Sequence, residues 1–129
     1  MVPIAAKKIL IVEDHQLFRA MLVELIESEP GITVCGQTDN VAEALTLIDQ
    51  TRPDAALVDL TLNGPSGLEL ISDLSARNVR LPMLVLSMHP ASLYAQRVIH
   101  AGARGFISKQ EPPEAVIAAI RTLLEEPSA

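Results

Sequence analysis

Hydrophobic residues along this chain follow two alternating patterns, and each pattern occurs five times. Short, almost wholly apolar runs are typical of buried strands, whereas the stretches between them carry apolar residues at helical spacing. The predicted strands cover residues 7–12, 32–36, 54–59, 82–87 and 105–108. The predicted helices cover residues 18–26, 40–50, 67–77, 91–101 and 113–126. The chain is therefore expected to alternate strand and helix along nearly its whole length.

The first, third and fourth strands are apolar throughout instead of alternating between apolar and polar residues. That pattern is typical of parallel strands that are covered by helices on both faces. Five strand–helix units with right-handed crossovers predict an α/β fold with a doubly wound, five-stranded parallel sheet. At 129 residues the chain is long enough for one domain with a substantial core.

Polar residues that could bind a ligand or take part in a reaction stand where the predicted strands end. Glu13 and Asp14 follow the first strand, Asp59 ends the third, Ser87 ends the fourth and Lys109 follows the fifth. Ligands of doubly wound sheets bind beyond the carboxyl ends of the strands, so these residues are expected on one rim. Neighbouring carboxylates raise each other's pKa unless a positive charge lies between them. Either water solvates these acids, or they hold a cation. A basic residue among clustered acids is what a phosphorylated carboxylate with its metal ion would need.

Composition argues against several classes of protein for this chain. The formal net charge is −6, from 10 basic and 16 acidic residues, which disfavours direct binding of nucleic acid. No apolar run approaches the roughly 18 residues of a membrane span, and the first residues do not resemble a signal peptide. The single cysteine, Cys35, permits no internal disulfide and fits a reducing compartment. We therefore expect a cytoplasmic protein that does not contact membranes.

Four segments resemble the receiver domain of two-component response regulators, and they occur in the order and spacing of that family. They read "ILIVEDH", "ALVDLTLNGPSGLEL", "MLVLSMHP" and "AGARGFISK". The resemblance runs from about Lys8 to Glu125 and is closest to the NarL/FixJ group. It implies a receiver domain over residues 1–126, with residues 127–129 as the start of a linker or a tail. It also implies a flavodoxin-like (βα)5 sheet with strand order 2-1-3-4-5.

The resemblance implies a role for each residue at the strand ends. Asp59 would be the phosphoacceptor, which receives a phosphoryl group from a sensor histidine kinase or a phosphotransfer domain. Mg²⁺ would be bound by Asp14, Asp59 and the backbone carbonyl of Thr61, and by Glu13 through water. Lys109 would neutralise charge on the transferring group. The chain would thus catalyse only its own phosphorylation and dephosphorylation, and it would not otherwise be an enzyme.

The same resemblance implies a conformational switch. Ser87 would turn toward the phosphoryl oxygens, and Phe106 would then turn inward, with the fourth helix and the preceding loop as the moving element. Phe106 lacks a hydroxyl group, so packing alone would drive its rotation. Thr61 and His89 are candidates for tuning the access of water to the phosphoryl group.

Other readings of the same residues are possible. A flavodoxin-like enzyme that binds FMN or a dinucleotide would need a Gly-rich or Ser/Thr-rich phosphate cradle after the first strand, where this chain has acids. A phosphatase of the haloacid dehalogenase type would carry its paired aspartates at the end of the first strand, whereas Asp59 ends the third. A receiver with an inactive site would act only as an interaction module. His15 is expected to be a surface residue, since one imidazole is an unusual ligand among hard oxygen donors.

Two expectations concern partners. NarL/FixJ-type receivers usually precede a DNA-binding domain, so the chain is expected to control transcription through an output domain that it lacks; a stand-alone receiver is the alternative. The apolar band of the last helix is wider than one core face requires. Together with Leu17 and Val23 of the first helix, it predicts a homodimer through the first and last helices. The band consists of Val116, Ile117, Ile120, Leu123 and Leu124.

Overall fold

A computed structural model of the chain describes residues 5–60, 67–88 and 91–125, and the side chains of residues 91–95 are outside that description. Five parallel strands form one sheet in the order β2-β1-β3-β4-β5. The strands are β1 Lys7–Val12, β2 Ile32–Thr38, β3 Ala55–Asp59, β4 Met83–Ser87 and β5 Gly105–Ser108. The helices are α1 Gln16–Glu27, α2 Val41–Thr51, α3 Gly67–Ala76, α4 Ala91–Ala101 and α5 Pro113–Glu125. The predicted doubly wound fold and its strand order are confirmed.

The observed boundaries differ from the predicted ones most at the start of α1 and at the end of β2, by two residues each. This strand runs two residues further, to Thr38, because it continues to pair with β1 as far as Val12. The Thr38 carbonyl also accepts a hydrogen bond from the Glu13 backbone N–H at 2.9 Å. Helix α2 begins at Val41, one residue after the start of its predicted range, because the Asn40 side chain caps it by accepting from the Glu43 N–H at 2.8 Å. Pairing and capping are thus what decide where these elements end.

The helices bury the two faces of the sheet separately. One face packs against α1 and α5, and the other packs against α2, α3 and α4. The buried residues of the first core are Ile9, Ile11, Leu22, Ile26, Ile32, Ala55, Leu57, Leu84, Leu86, Ile107, Val116, Ile117, Ile120 and Leu123. Those of the second are Leu10, Val12, Ala44, Ala56, Val58, Leu60, Leu70, Ile71, Leu74, Leu81, Met83, Val85, Val98 and Ala103. Burial on both faces explains why β1, β3 and β4 are apolar throughout.

Strand register brings the polar strand ends to one rim. Val12 lies opposite Val58, Asp59 lies opposite Leu86, and Ser87 lies opposite Ser108. The residues that follow these positions therefore leave the sheet side by side. Within the part of the chain that the structure describes, no helix is long and apolar enough to cross a membrane.

The apolar band of α5 belongs mostly to the core. Four of its residues are buried there, and Leu124 is half-buried against the same core, as is Val23 of α1. Leu17 is different, because 78% of it is exposed. The width of the band is thus explained largely by packing, and the expected dimer stays a prediction.

Candidate functional site at the carboxyl ends of the strands

An ammonium group joins two carboxylates at the centre of the rim. The Lys109 Nζ lies 3.2 Å from Oδ2 of Asp59 and also donates to Oε1 of Glu13. All three side chains are almost inaccessible: 8% of Lys109, 3% of Asp59 and none of Glu13 is exposed. Removal from water strengthens each of these charge–charge contacts. The site is therefore an electrostatically coupled group rather than a set of solvated surface residues.

The fold holds Lys109 from two sides. Its backbone N–H donates to the Ser87 carbonyl at 2.8 Å, which extends the β4–β5 pairing by one residue. Its Nζ lies over the ring of Phe18, 4.8 Å from the ring centroid. The contact with Phe18 was not anticipated from the sequence. A lysine and a phenylalanine this far apart in the chain give no signal of contact before the fold is known.

A third carboxylate completes the cluster. One oxygen from each of Glu13, Asp14 and Asp59 can be chosen so that all three lie within 4.8 Å of one another. Asp14 is half-buried, and burial is the main reason that its pKa is raised above the usual 3.8. A hydrogen bond to Asp59 and the charge of Asp59 raise the pKa further, while a backbone N–H and the Lys109 ammonium lower it. The Asp14 carboxyl is therefore harder to ionise than an isolated aspartate.

Glu13 and Asp14 are adjacent in sequence but occupy different environments. Glu13 is fully buried, and its Oε2 has no hydrogen-bond partner among the described residues. Arg19 supports this turn by donating from Nη1 to the Glu13 backbone carbonyl at 2.8 Å. A buried oxygen without a protein donor is a costly feature that a hydrated cation would relieve.

His15 has a structural task in the exposed first turn of α1. Its Nδ1 accepts a hydrogen bond from the Phe18 N–H at 3.1 Å, so His15 is the N-cap of the helix. The Arg19 N–H donates to the His15 carbonyl at 2.9 Å and closes the first helical turn. His15 is thus on the surface as expected. Its capping role was not anticipated, since histidine is not among the preferred N-cap residues.

Gly67 lies very close to the backbone of Asp59, the candidate phosphoacceptor. A Cβ atom at this position would lie 2.0 Å from the Asp59 carbonyl oxygen and 3.0 Å from Cγ1 of Val58. The Gly67 N–H donates to the Leu60 carbonyl at 3.1 Å. The start of α3 can therefore pack on the end of β3 only because residue 67 has no side chain.

Of the other predicted site residues, the structure describes two and leaves two outside its described ranges. Ser87 is buried at the end of β4, beside the Lys109 backbone. Phe106 is half-buried on β5 and packs against the core that faces α2, α3 and α4. Thr61 and His89 lie outside the described residues. The structure therefore brings Glu13, Asp14 and Asp59 together with the Lys109 ammonium at one rim.

The sequence profile of the family described as "Response regulator receiver domain" matches residues 9–121, which is most of the chain. The chain belongs to the response regulator receiver family. The receiver domain is 35% identical, over 91% of its length, to the virulence-factor positive transcription regulator BvgA of Bordetella pertussis. It is 33% identical, over 88% of its length, to the nitrate/nitrite response regulator protein NarP of Escherichia coli.

A solved structure supports the same assignment. The two-component response regulator of the LuxR family from Aurantimonas sp. SI85-9A1 superposes with a TM-score of 0.87 and 32% sequence identity, covering 93% of this chain and 86% of that one. The matched regions span 56% of BvgA and 53% of NarP, so the receiver domain spans about half the length of these curated relatives.

Proposed function

We propose that this receiver domain accepts a phosphoryl group on Asp59 from a sensor histidine kinase or a phosphotransfer domain. The observation that carries the proposal is the buried Lys109 ammonium, which contacts both Asp59 and Glu13. A lysine held in this position can stabilise negative charge on a phosphoryl group as it reaches Asp59. Membership of the receiver family supports the same role.

The rim fits Mg²⁺. Three carboxylates and one ammonium leave two negative charges uncompensated, and oxygen donors are what this ion prefers. Asp14 and Asp59 would hold the ion directly, together with the backbone carbonyl of Thr61. Glu13 would reach it through water, which agrees with its burial and with its Oε2, for which the described residues offer no hydrogen-bond partner. When bound, Mg²⁺ neutralises charge on the phosphoryl oxygens.

The chemistry requires one nucleophile and a stabilised transition state. A carboxylate oxygen of Asp59 forms a bond to phosphorus while the bond from phosphorus to the kinase imidazole nitrogen breaks. That nitrogen keeps the electron pair of the broken bond. The Lys109 ammonium donates to the negative oxygens, so positioning and electrostatics account for most of the acceleration. The domain catalyses its own phosphorylation and dephosphorylation and acts on no other substrate.

Phosphorylation would then change the surface around β4 and β5. The new phosphoryl oxygens are strong hydrogen-bond acceptors, and Ser87 offers a buried hydroxyl group beside the Lys109 backbone. Phe106, which is only half-buried, would turn inward in response, with α4 and the preceding loop as the moving element. Thr61 and His89 would tune the rate at which water attacks the phosphoryl group.

The output is proposed to be transcription. The relatives named above are described as a transcription regulator and a response regulator, and they are about twice as long as the matched region. DNA would be contacted only through an output domain, in keeping with the net charge of −6 on this chain. Such a system operates in the cytoplasm. The alternative is a stand-alone receiver that acts in a phosphorelay or through protein–protein contacts.

A phosphorylation-dependent homodimer through α1 and α5 is also proposed. Leu17 supports it, because a large apolar side chain that is 78% exposed is a candidate interface residue. Leu124 and Val23 are half-buried and pack against the core between the sheet and these two helices. Helices α1 and α5 pack on the same core, so their outer surfaces form one face of the domain. In a two-fold dimer, this face of one copy would contact the same face of the other.

Replacement of the proposed nucleophile tests the main proposal. The wild-type domain, incubated with Mg²⁺ and acetyl phosphate, is expected to gain the mass of one phosphoryl group, and hydroxylamine is expected to remove it. Asp59→Asn should give no adduct, whereas Asp49→Asn, at an exposed acid on α2, should label like the wild type. An adduct of wild-type yield on Asp59→Asn would contradict the assignment. Absence of any adduct on the wild type would favour an inactive interaction module.

A further inference from the structure

The Lys109 ammonium contacts an aromatic side chain that no part of the proposed chemistry uses. A lysine ammonium has three N–H donors, and here the Glu13 and Asp59 carboxylates are two of its partners. Phe18 is its third neighbour, since Nζ lies over the ring at 4.8 Å from the centroid. This distance is within the range of a cation–π interaction. The positive charge of Lys109 and the exclusion of water from its side chain both favour this contact.

The ring is itself held in place by the start of α1. The Phe18 N–H donates to Nδ1 of His15, and the Arg19 side chain ties the same turn to the Glu13 carbonyl. The ring also packs against the core between α1 and α5. A series of contacts thus connects the turn that carries the acids to the Phe18 ring, and the ring to the Lys109 ammonium.

We propose that Phe18 is a positioning residue for phosphoryl transfer, which acts by holding the Lys109 ammonium on Glu13 and Asp59. The proposal rests on the proposed role of Asp59 and Lys109. Without the ring, the flexible lysine side chain gains orientations in which its ammonium is hydrated and turned away from Asp59. Charge on the transferring phosphoryl group would then be less well stabilised.

The first experiment compares aromatic and aliphatic side chains at residue 18. Phe18→Leu keeps an apolar side chain but removes the π face, and it should slow phosphorylation by acetyl phosphate about 3- to 30-fold. Phe18→Tyr keeps the ring and should stay within about twofold of the wild type. Met21→Leu, a similar apolar change one turn further along α1, is the matched control and should leave the rate unchanged.

The second experiment separates positioning from a general effect on folding. If the ring acts through Lys109, then Phe18→Leu should have little further effect in a Lys109→Met background, because the contact is already lost. The proposal is overturned if Phe18→Leu phosphorylates at the wild-type rate. It is also overturned if the mutation slows the reaction equally with and without Lys109.

A readout without phosphorylation distinguishes failure of this inference from failure of the proposed function. The ring current of Phe18 should shift the Lys109 Hε protons upfield in the NMR spectrum, and Phe18→Leu should abolish that shift while Met21→Leu preserves it. A wild type that shows the shift but gains no phosphoryl group from acetyl phosphate would refute the proposed function but retain the Phe18–Lys109 contact. Identical Lys109 shifts in the wild type and Phe18→Leu would refute the contact.

Discussion

The Lys109 Nζ lies 3.2 Å from Oδ2 of Asp59, although 50 residues separate the two along the chain. The same ammonium also donates to Glu13, so one positive charge serves two buried carboxylates. Asp14, in contrast, is only half-buried, and its pKa is raised chiefly by burial and then by Asp59. This asymmetry leads to different expectations for residues that are adjacent in sequence.

Metal affinity should depend more on Asp14 than on Glu13. Asp14→Asn removes a proposed direct ligand and should weaken Mg²⁺ binding by more than about tenfold, whereas Glu13→Gln should have a smaller effect. Isothermal titration calorimetry of the unphosphorylated domain measures both values. Asp49→Asn, on the exposed surface of α2, serves as the control for a general loss of negative charge. Equal losses at residues 13 and 14 would refute this ranking.

Replacement of Asp14 should stabilise the metal-free domain at neutral pH. Because the folded-state pKa is raised above 3.8, the folded state binds a proton on Asp14 more tightly than the unfolded state. Stability is therefore lost as pH rises from about 3.8 through the raised pKa. Asp14→Asn avoids this loss and should raise the free energy of unfolding by up to about 1 kcal/mol.

Urea unfolding in the presence of a chelator tests this sign. The gain from Asp14→Asn should be present at neutral pH, should shrink as the pH falls through the raised pKa, and should be lost below about 3.8 as Asp14 becomes protonated in both states. A destabilised Asp14→Asn variant at neutral pH would mean that the ionised carboxylate supports the fold. That result would be opposite to the one that burial and the neighbouring Asp59 predict.

Gly67→Ala should damage the fold beside Asp59. Alanine at a helical position is usually neutral or stabilising relative to glycine. Here, its Cβ would meet the Asp59 carbonyl at 2.0 Å, so α3 must move away from β3, at a cost of about 1–3 kcal/mol. Thermal unfolding should detect the loss, with Ser72→Ala on the exposed side of α3 as the control. A Gly67→Ala variant as stable as the wild type would show that the packing tolerates a side chain.

Dimer formation should depend on phosphorylation and on the exposed apolar residue of α1. Beryllofluoride is a stable mimic of the phosphoryl group, and it should shift the sedimentation coefficient toward a dimer when Mg²⁺ is present. Leu17→Asp and Leu124→Asp should prevent the shift by placing charge in the interface. Val79→Asp, at an apolar residue that is 37% exposed after α3, should not. A domain that stays monomeric at high concentration, or a dimer unaffected by Leu17→Asp, would refute the proposed interface.

Local patterns were sufficient to predict most of the architecture from the sequence. Hydrophobic periodicity reflects which faces are buried, so it located all five strands and all five helices, and it placed α4 and β5 at their observed boundaries. The end of β2 was less predictable, because its last residues are defined by pairing with β1 rather than by their own hydrophobicity. The clustering of Glu13, Asp14, Asp59 and Lys109 was also predictable, since the carboxyl ends of parallel strands share one rim.

Tertiary structure alone decided how these residues differ. Glu13 and Asp14 carry the same charge and are neighbours in the chain, yet one is fully buried against Lys109 and the other is half-exposed with a raised pKa. The ring of Phe18 beneath the ammonium and the missing side chain of Gly67 behind Asp59 are likewise contacts between distant segments. Periodicity reports only the direction in which a side chain points from its own strand or helix. Burial depth and contact partners depend on how those elements pack together, which is why they appear only in the folded domain.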